Sequence, residues 1–153
     1  MTELKRILLV EDSANDVALT LAALEETNLA NEVDVVRDGQ QALDYLRREG
    51  PWASRAEGNP AVVLLDLKLP KVDGLQVLAH IKGHPQLKAV PVVMLTSSRE
   101  EQDLARSYGL GVNAYVVKPV AFPDFVCALK ELGLFWAVVN QPPPGSLPRA
   151  GVR

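Results

Sequence analysis

The sequence contains one cysteine, Cys127. A single thiol excludes an intramolecular disulfide and fits a reducing compartment. At a helical position it reads as a small core residue rather than a reactive thiol. Basic residues form no stripe and the net charge is −3, so nucleic acid is not expected as a direct partner. Long apolar runs are also missing near the start. Met1 to Arg6 lead into only four apolar residues, Ile7 to Val10, too few for a signal peptide or a membrane span. These absences lead us to expect a cytoplasmic protein with no membrane contact. Glycine is absent from Glu11–Asp16, the segment after that first run. That excludes the glycine-rich loop of a dinucleotide site of the usual kind.

What is present describes one domain. A chain of 153 residues can bury one substantial core, and 48% hydrophobic with 23% charged residues is ordinary for a soluble globular protein. We expect the domain over residues 1–140. Pro142-Pro143-Pro144-Gly145 then ends ordered structure, leaving a flexible Pro-rich tail over 141–153.

Five short apolar runs are separated by segments of helical periodicity. The central one, Ala61-Val62-Val63-Leu64-Leu65, is bounded by Pro60 and the Leu69-Pro70 turn, and it ends in Asp66. The others are Ile7–Val10, Val90–Leu95, Ala114–Val117 and a short strand of Val33, Val35 and Val36 that Asp34 interrupts. Continuous apolar runs of this length read as strands buried on both faces. Between them, Val17, Leu21 and Leu24 recur at helical spacing after capping side chains at Ser13 to Asn15, in a helix expected to end near Asn28–Asn31. Asp38 with Gln41 resembles a capping box, and that helix stops at Gly50-Pro51. Pro51 to Asn59 reads as an irregular surface loop, with Trp52 a local anchor packed on the domain. Further helices are expected from Asp73 or Gly74 to Gly83, from Arg99 to Tyr108, and from Phe122-Pro123-Asp124, with Phe125, Ala128, Leu129 and Leu132 inward. Strands alternating with helices give an α/β fold with a parallel sheet covered on both faces. Without a glycine-rich loop, the flavodoxin-like doubly wound order 2-1-3-4-5 is the expected one.

Ligands of such sheets bind beyond the carboxyl ends of the strands. There the sequence places Glu11 and Asp12 on strand 1, Asp66 on strand 3, Thr96 on strand 4 and Lys118 on strand 5. Each has a bland reading: a turn or cap for Asp66 and Thr96, a solvated strand end for Lys118. Jointly they do not. Two carboxylates about 4 Å apart repel by roughly 4 kcal/mol at an effective dielectric near 20, so a hard divalent cation such as Mg²⁺ is expected among them. A carboxylate can accept a phosphoryl group, and a metal with a lysine can offset charge on the transferred oxygens. Asp66 is the expected acceptor, Lys118 the phosphate-binding point charge and Thr96 the donating hydroxyl.

These residues resemble the receiver domains of two-component response regulators. The resemblance rests on Val10-Glu11-Asp12, on Leu65 to Pro70 with Asp73-Gly74, on Leu95-Thr96-Ser97 and on Tyr115 to Pro119, and it spans about residues 5–135. It implies phosphorylation of Asp66 by a histidine kinase. It also implies Mg²⁺ on Asp12, Asp66 and the Lys68 carbonyl, with Glu11 acting through water. A cis Lys118–Pro119 peptide and a switch aromatic at Tyr115, turning inward as Thr96 moves, complete what it implies. The Pro51–Asn59 insertion and the apolar end Phe135-Trp136-Ala137-Val138-Val139 depart from a minimal receiver. Both resemble the small stand-alone regulators paired with bacterial phytochrome-type kinases. The apolar end either packs on the domain's own sheet or forms a dimer contact, and we expect a homodimer. We expect Lys118→Ala to leave folding nearly intact while uncoupling phosphorylation from any change in assembly. An aspartyl-nucleophile phosphohydrolase is a competing reading. Enzymes of that class carry a second Asp two residues after the nucleophile, where this chain has Lys68. A phosphorylation-independent binding module is a third reading, difficult to reconcile with the full set of acids, hydroxyl and lysine.

Overall fold

Strands that are apolar on both faces along most of their length need helices on both faces of their sheet, and the chain builds that arrangement. The computed structural model describes residues 6–25, 33–55, 58–96, 109, 110, 112 and 114–132. In chain order these form β1 (Ile7–Val10), α1 (Ala14–Glu25), β2 (Val33–Val36) and α2 (Gly39–Arg47). A 3-10 turn (Gly50–Trp52), β3 (Val62–Asp66), α3 (Gly74–Gly83), β4 (Val92–Thr96), β5 (Ala114–Val117) and α4 (Phe122–Glu131) follow. All pairings are parallel and the order is β2-β1-β3-β4-β5, as expected. The expected helix at Arg99–Tyr108, the end of α1 near Asn28–Asn31, the apolar segment Phe135–Val139 and the tail lie outside the described residues. No helix among the described residues is long and apolar enough to cross a membrane.

Side-chain alternation divides the core in two. Ile7, Leu9, Leu64 and Leu95 pack beneath Val17 and Leu24 of α1 and Phe125 and Leu129 of α4. Leu8, Val10, Leu65 and Met94 pack beneath Leu43 and Leu46 of α2 and Leu78 and Ile81 of α3. Burying one such side chain contributes roughly 1.5–3 kcal/mol. The sheet is thereby a rigid platform whose strand ends are fixed in register: Val10 pairs with Leu65, Asp66 with Leu95, and Thr96 with Val117.

Helix starts follow their caps, with one exchange. Ser13 Oγ accepts from the Asp16 amide at 3.2 Å. Asp38 accepts from the Gln41 amide at 2.8 Å, but the Gln41 side chain accepts from the Arg37 amide, not from Asp38. The reciprocal box expected at Asp38 is therefore half formed. The complete box is at Asp73, whose side chain accepts from Gln76 while Gln76 accepts from the Asp73 amide.

Two further expectations are corrected or refined. Cys127 is exposed, not core. Phe125, Ala128 and Leu129 are inward, and helical spacing puts residue 127 on the opposite side. The described start of the 51–59 segment, residues 51–55, is less irregular than expected. It begins as a 3-10 turn, Trp52 meets Tyr45 edge-on at 4.9 Å, and the Arg55 guanidinium lies over the Tyr45 ring at 4.2 Å. Tyr45 in turn donates to Asp34 of β2 at 2.6 Å. Trp52 is the local anchor expected of it.

Candidate functional site

Because Val10 and Leu65 are partners in the sheet, the next residues, Glu11 and Asp66, leave adjacent strands side by side. Carboxylate oxygens of Glu11, Asp12 and Asp66 all lie within 4.8 Å of one another. Glu11 is 0% exposed and Asp66 4%, while Asp12 faces solvent. Two buried like charges at this separation are costly without a cation.

The Lys118 ammonium answers part of that cost. Its Nζ lies 2.9 Å from Glu11 Oε1, 3.1 Å from Asp16 Oδ2 and 3.2 Å from Asp66 Oδ1. Glu11 Oε2 accepts from the Ser13 amide at 3.2 Å, so both Glu11 oxygens are engaged. The one ammonium is shared among three carboxylates. Burial first, then the Glu11 charge, pushes the Asp66 carboxyl up to about 7 against the pull of Lys118. Burial works against the charge on Lys118, but hydrogen bonds to Glu11 and Asp16 and the charge of Asp66 outweigh it, so its pKa rises. The excess of buried negative charge and the all-oxygen donor set suit a hard divalent cation.

The backbone holds this group firmly. The Lys118 amide donates to the Thr96 carbonyl at 2.7 Å, joining the ends of β5 and β4, and the Lys118–Pro119 peptide is cis. The Leu67 amide donates to the Leu95 carbonyl at 2.9 Å, and the Gly74 amide to the Leu67 carbonyl at 3.0 Å. A Cβ on Gly74 would stand 2.2 Å from the Asp66 carbonyl oxygen, so only glycine lets α3 start this close to the acid.

The remaining expected residues fall around this centre. Thr96 is buried at the end of β4. Tyr115 sits on β5 opposite Met94, partly buried against the α2/α3 side of the core. Lys68 is exposed on the turn after Asp66, beside an open depression of about 500 Å³ that also borders Asp12 and Asp73. Asp16 is the residue sequence reasoning missed. Its signal was available, because the first turn of the helix after β1 must stand over the strand ends. A second omission is Lys71, which adopts φ 67° and pairs with Asp38 at 3.5 Å, tying the turn after β3 to the start of α2.

Residues 7–130 match the family model described as "Response regulator receiver domain". The response regulator Rcp1 of Synechocystis sp. is 41% identical over 132 residues, 86% of this chain and 88% of that protein. Among solved structures, the bacteriophytochrome response regulator RtBRR is 66% identical with TM-score 0.82, covering 94% of this chain and 87% of its own. The phosphorylated cyanobacterial phytochrome response regulator RcpA is 43% identical with TM-score 0.73, covering 88% and 95%. The Mn²⁺-bound form of Rcp1 is 38% identical with TM-score 0.71, covering 95% and 99%.

Proposed function

The chain belongs to the response regulator receiver domain family, and from that premise we propose that Asp66 is its phosphoryl acceptor, served by a histidine kinase. It is a two-component signalling protein rather than a turnover enzyme. The observation that carries the assignment is Lys118 Nζ at 3.2 Å from Asp66 Oδ1, within the acid cluster at the end of the central strand. In the transfer, the P–N bond of a phosphohistidine breaks as a P–O bond to an Asp66 oxygen forms, and the leaving ring nitrogen takes a proton from solvent. Lys118 holds a phosphoryl oxygen as a point charge, and the Thr96 hydroxyl donates to another. Tyr115 is the aromatic that turns inward when Thr96 moves. Glu11, Asp12, Asp66 and the Lys68 carbonyl would hold Mg²⁺, which offsets negative charge on the phosphoryl oxygens. The acid cluster supports this, as does the Mn²⁺ bound by the relative Rcp1.

The similarity to phytochrome response regulators supports a phytochrome-type photoreceptor kinase as the partner. We place the pair in the cytoplasm, in keeping with the single cysteine. We also propose a homodimer, on the strength of the apolar sequence Phe135–Val139. A light-scattering series that stayed monomeric to high micromolar concentration would remove that part alone.

Incubation with acetyl phosphate and Mg²⁺, followed by intact mass, tests the acceptor. The expected result is a gain of one phosphoryl group that Asp66→Asn abolishes. Labelling that persists in Asp66→Asn, or labelling independent of Mg²⁺, overturns the assignment.

A further inference from the structure

Lys118 Nζ donates hydrogen bonds to Glu11 and Asp16 and forms an ion pair with Asp66 at 3.2 Å. Those partners are not equivalent. Glu11 and Asp66 belong to the cluster whose oxygens can share a cation, and Asp16 lies outside it. Any cation among Glu11, Asp12 and Asp66 therefore competes with the ammonium for Glu11 and Asp66, and leaves Asp16 as its uncontested partner. Asp16 is also well built to serve. It stands in the first turn of α1, its amide donates to Ser13 Oγ at 3.2 Å, and its neighbour Val17 is buried against the sheet.

We infer that Asp16 is the positioning residue of Lys118, holding the ammonium at Asp66 while the other acids engage the metal. A first-turn acid is also favourable to a helix through the backbone dipole. That ordinary role asks for no contact with a residue 102 positions away, yet Asp16 Oδ2 is 3.1 Å from Lys118 Nζ. Lysine is a long, flexible point charge, unlike the planar fork of arginine, and it needs an outside anchor to be held on one oxygen. The inference rests on the proposed role of Lys118 toward the phosphoryl group.

The test is a double-mutant cycle read by calorimetric binding of beryllofluoride, a tetrahedral mimic of the carboxyl-bound phosphoryl group, at saturating Mg²⁺. Asp16→Ala should weaken binding on the order of fivefold, as expected for losing one partly exposed charge-assisted hydrogen bond. Asp16→Asn, which keeps an acceptor without the charge, should fall between, and it serves as the informative variant should the alanine form fail to fold. Lys118→Ala should weaken binding further, and adding Asp16→Ala to it should change nothing more. Equal weakening by Asp16→Ala in both backgrounds would assign Asp16 to the helix alone and overturn the inference. Unchanged or tighter binding in the Asp16 single variants does the same, as does a loss confined to Mg²⁺ affinity measured without beryllofluoride. Full binding by Lys118→Ala would instead remove the proposed role of Lys118 itself.

Discussion

Lys118 balances more charge than it carries. Its side chain is 10% exposed, and it contacts one acid directly after β1, one from the start of α1 and one from β3. From sequence alone, the lysine reads as a phosphate-binding point charge whose loss the fold would tolerate. The geometry revises that, because deleting the ammonium leaves Glu11 and Asp66 buried, adjacent and without it. Removing one partner of a buried ion pair is strongly destabilising, and allowing for partial exposure we expect Lys118→Ala to cost about 2–4 kcal/mol in metal-free protein. Urea titration with and without Mg²⁺ checks this. The expected result is a loss in chelator that Mg²⁺ largely reverses, since either cation can offset the same acids. Equal losses in both conditions would mean that Lys118 acts by packing its stem rather than by charge. The acids and the lysine were legible in the sequence because each directly follows an apolar run. Asp16 carried only an indirect signal, because no apolar run points to it and only its place in the first turn of α1 sets it over the strand ends.

At the scale of elements, the strand runs and their order were legible because burial on both faces leaves a continuous apolar signature. Caps were less so. Asp38 and Asp73 each have a glutamine three residues on, and only Asp73 receives it, a choice set by where the Arg37 amide lies. Glycines were the least legible, since their role depends on what approaches them. Gly74 opens α3 with the Asp66 and Leu67 carbonyls against its Cα, whereas Gly83 closes the same helix with nothing within 4 Å of where a Cβ would stand. Substitution should therefore have opposite signs at the two ends. Gly74→Ala must displace backbone that carries Asp66, and should cost more than about 2 kcal/mol while weakening acetyl phosphate labelling. Gly83→Ala should gain up to about 1 kcal/mol from helix propensity and leave labelling unchanged. Paired thermal melts and labelling time courses read both. A neutral Gly74→Ala would show that the turn after β3 is softer than its contacts imply.

For the whole molecule, the acid cluster makes stability depend on pH in a direction unusual for a carboxylate. Asp66 has a folded-state pKa of about 7, against an ordinary value near 4 when unfolded. Between about pH 4 and pH 7 the folded state thus binds more protons than the unfolded state, and stability falls as pH rises through that window. Other shifted groups act elsewhere or in the opposite sense. Burial, then Arg47 and His84, lowers the pKa of His80, which removes stability as pH falls below the ordinary histidine range. Asp34 is lowered by its bonds from Arg6 and Tyr45 in spite of burial, and acts only at the acid end. Tyr45, pushed up to about 12, and Lys118, also raised, keep their contributions throughout the neutral range. Comparing wild type with Asp66→Asn cancels these common terms. In chelator, the variant should melt close to wild type near pH 4.5 and several degrees higher near pH 8, since a few kcal/mol corresponds to roughly that much in a domain of this size. Mg²⁺ at the higher pH should close most of the gap by stabilising wild type more than the variant. A gap that stayed constant with pH would mean that Asp66 is already ionised throughout, with Lys118 alone sufficient to hold it so. The fold would then carry its acceptor at no cost, and the cation would be needed for the transfer chemistry only.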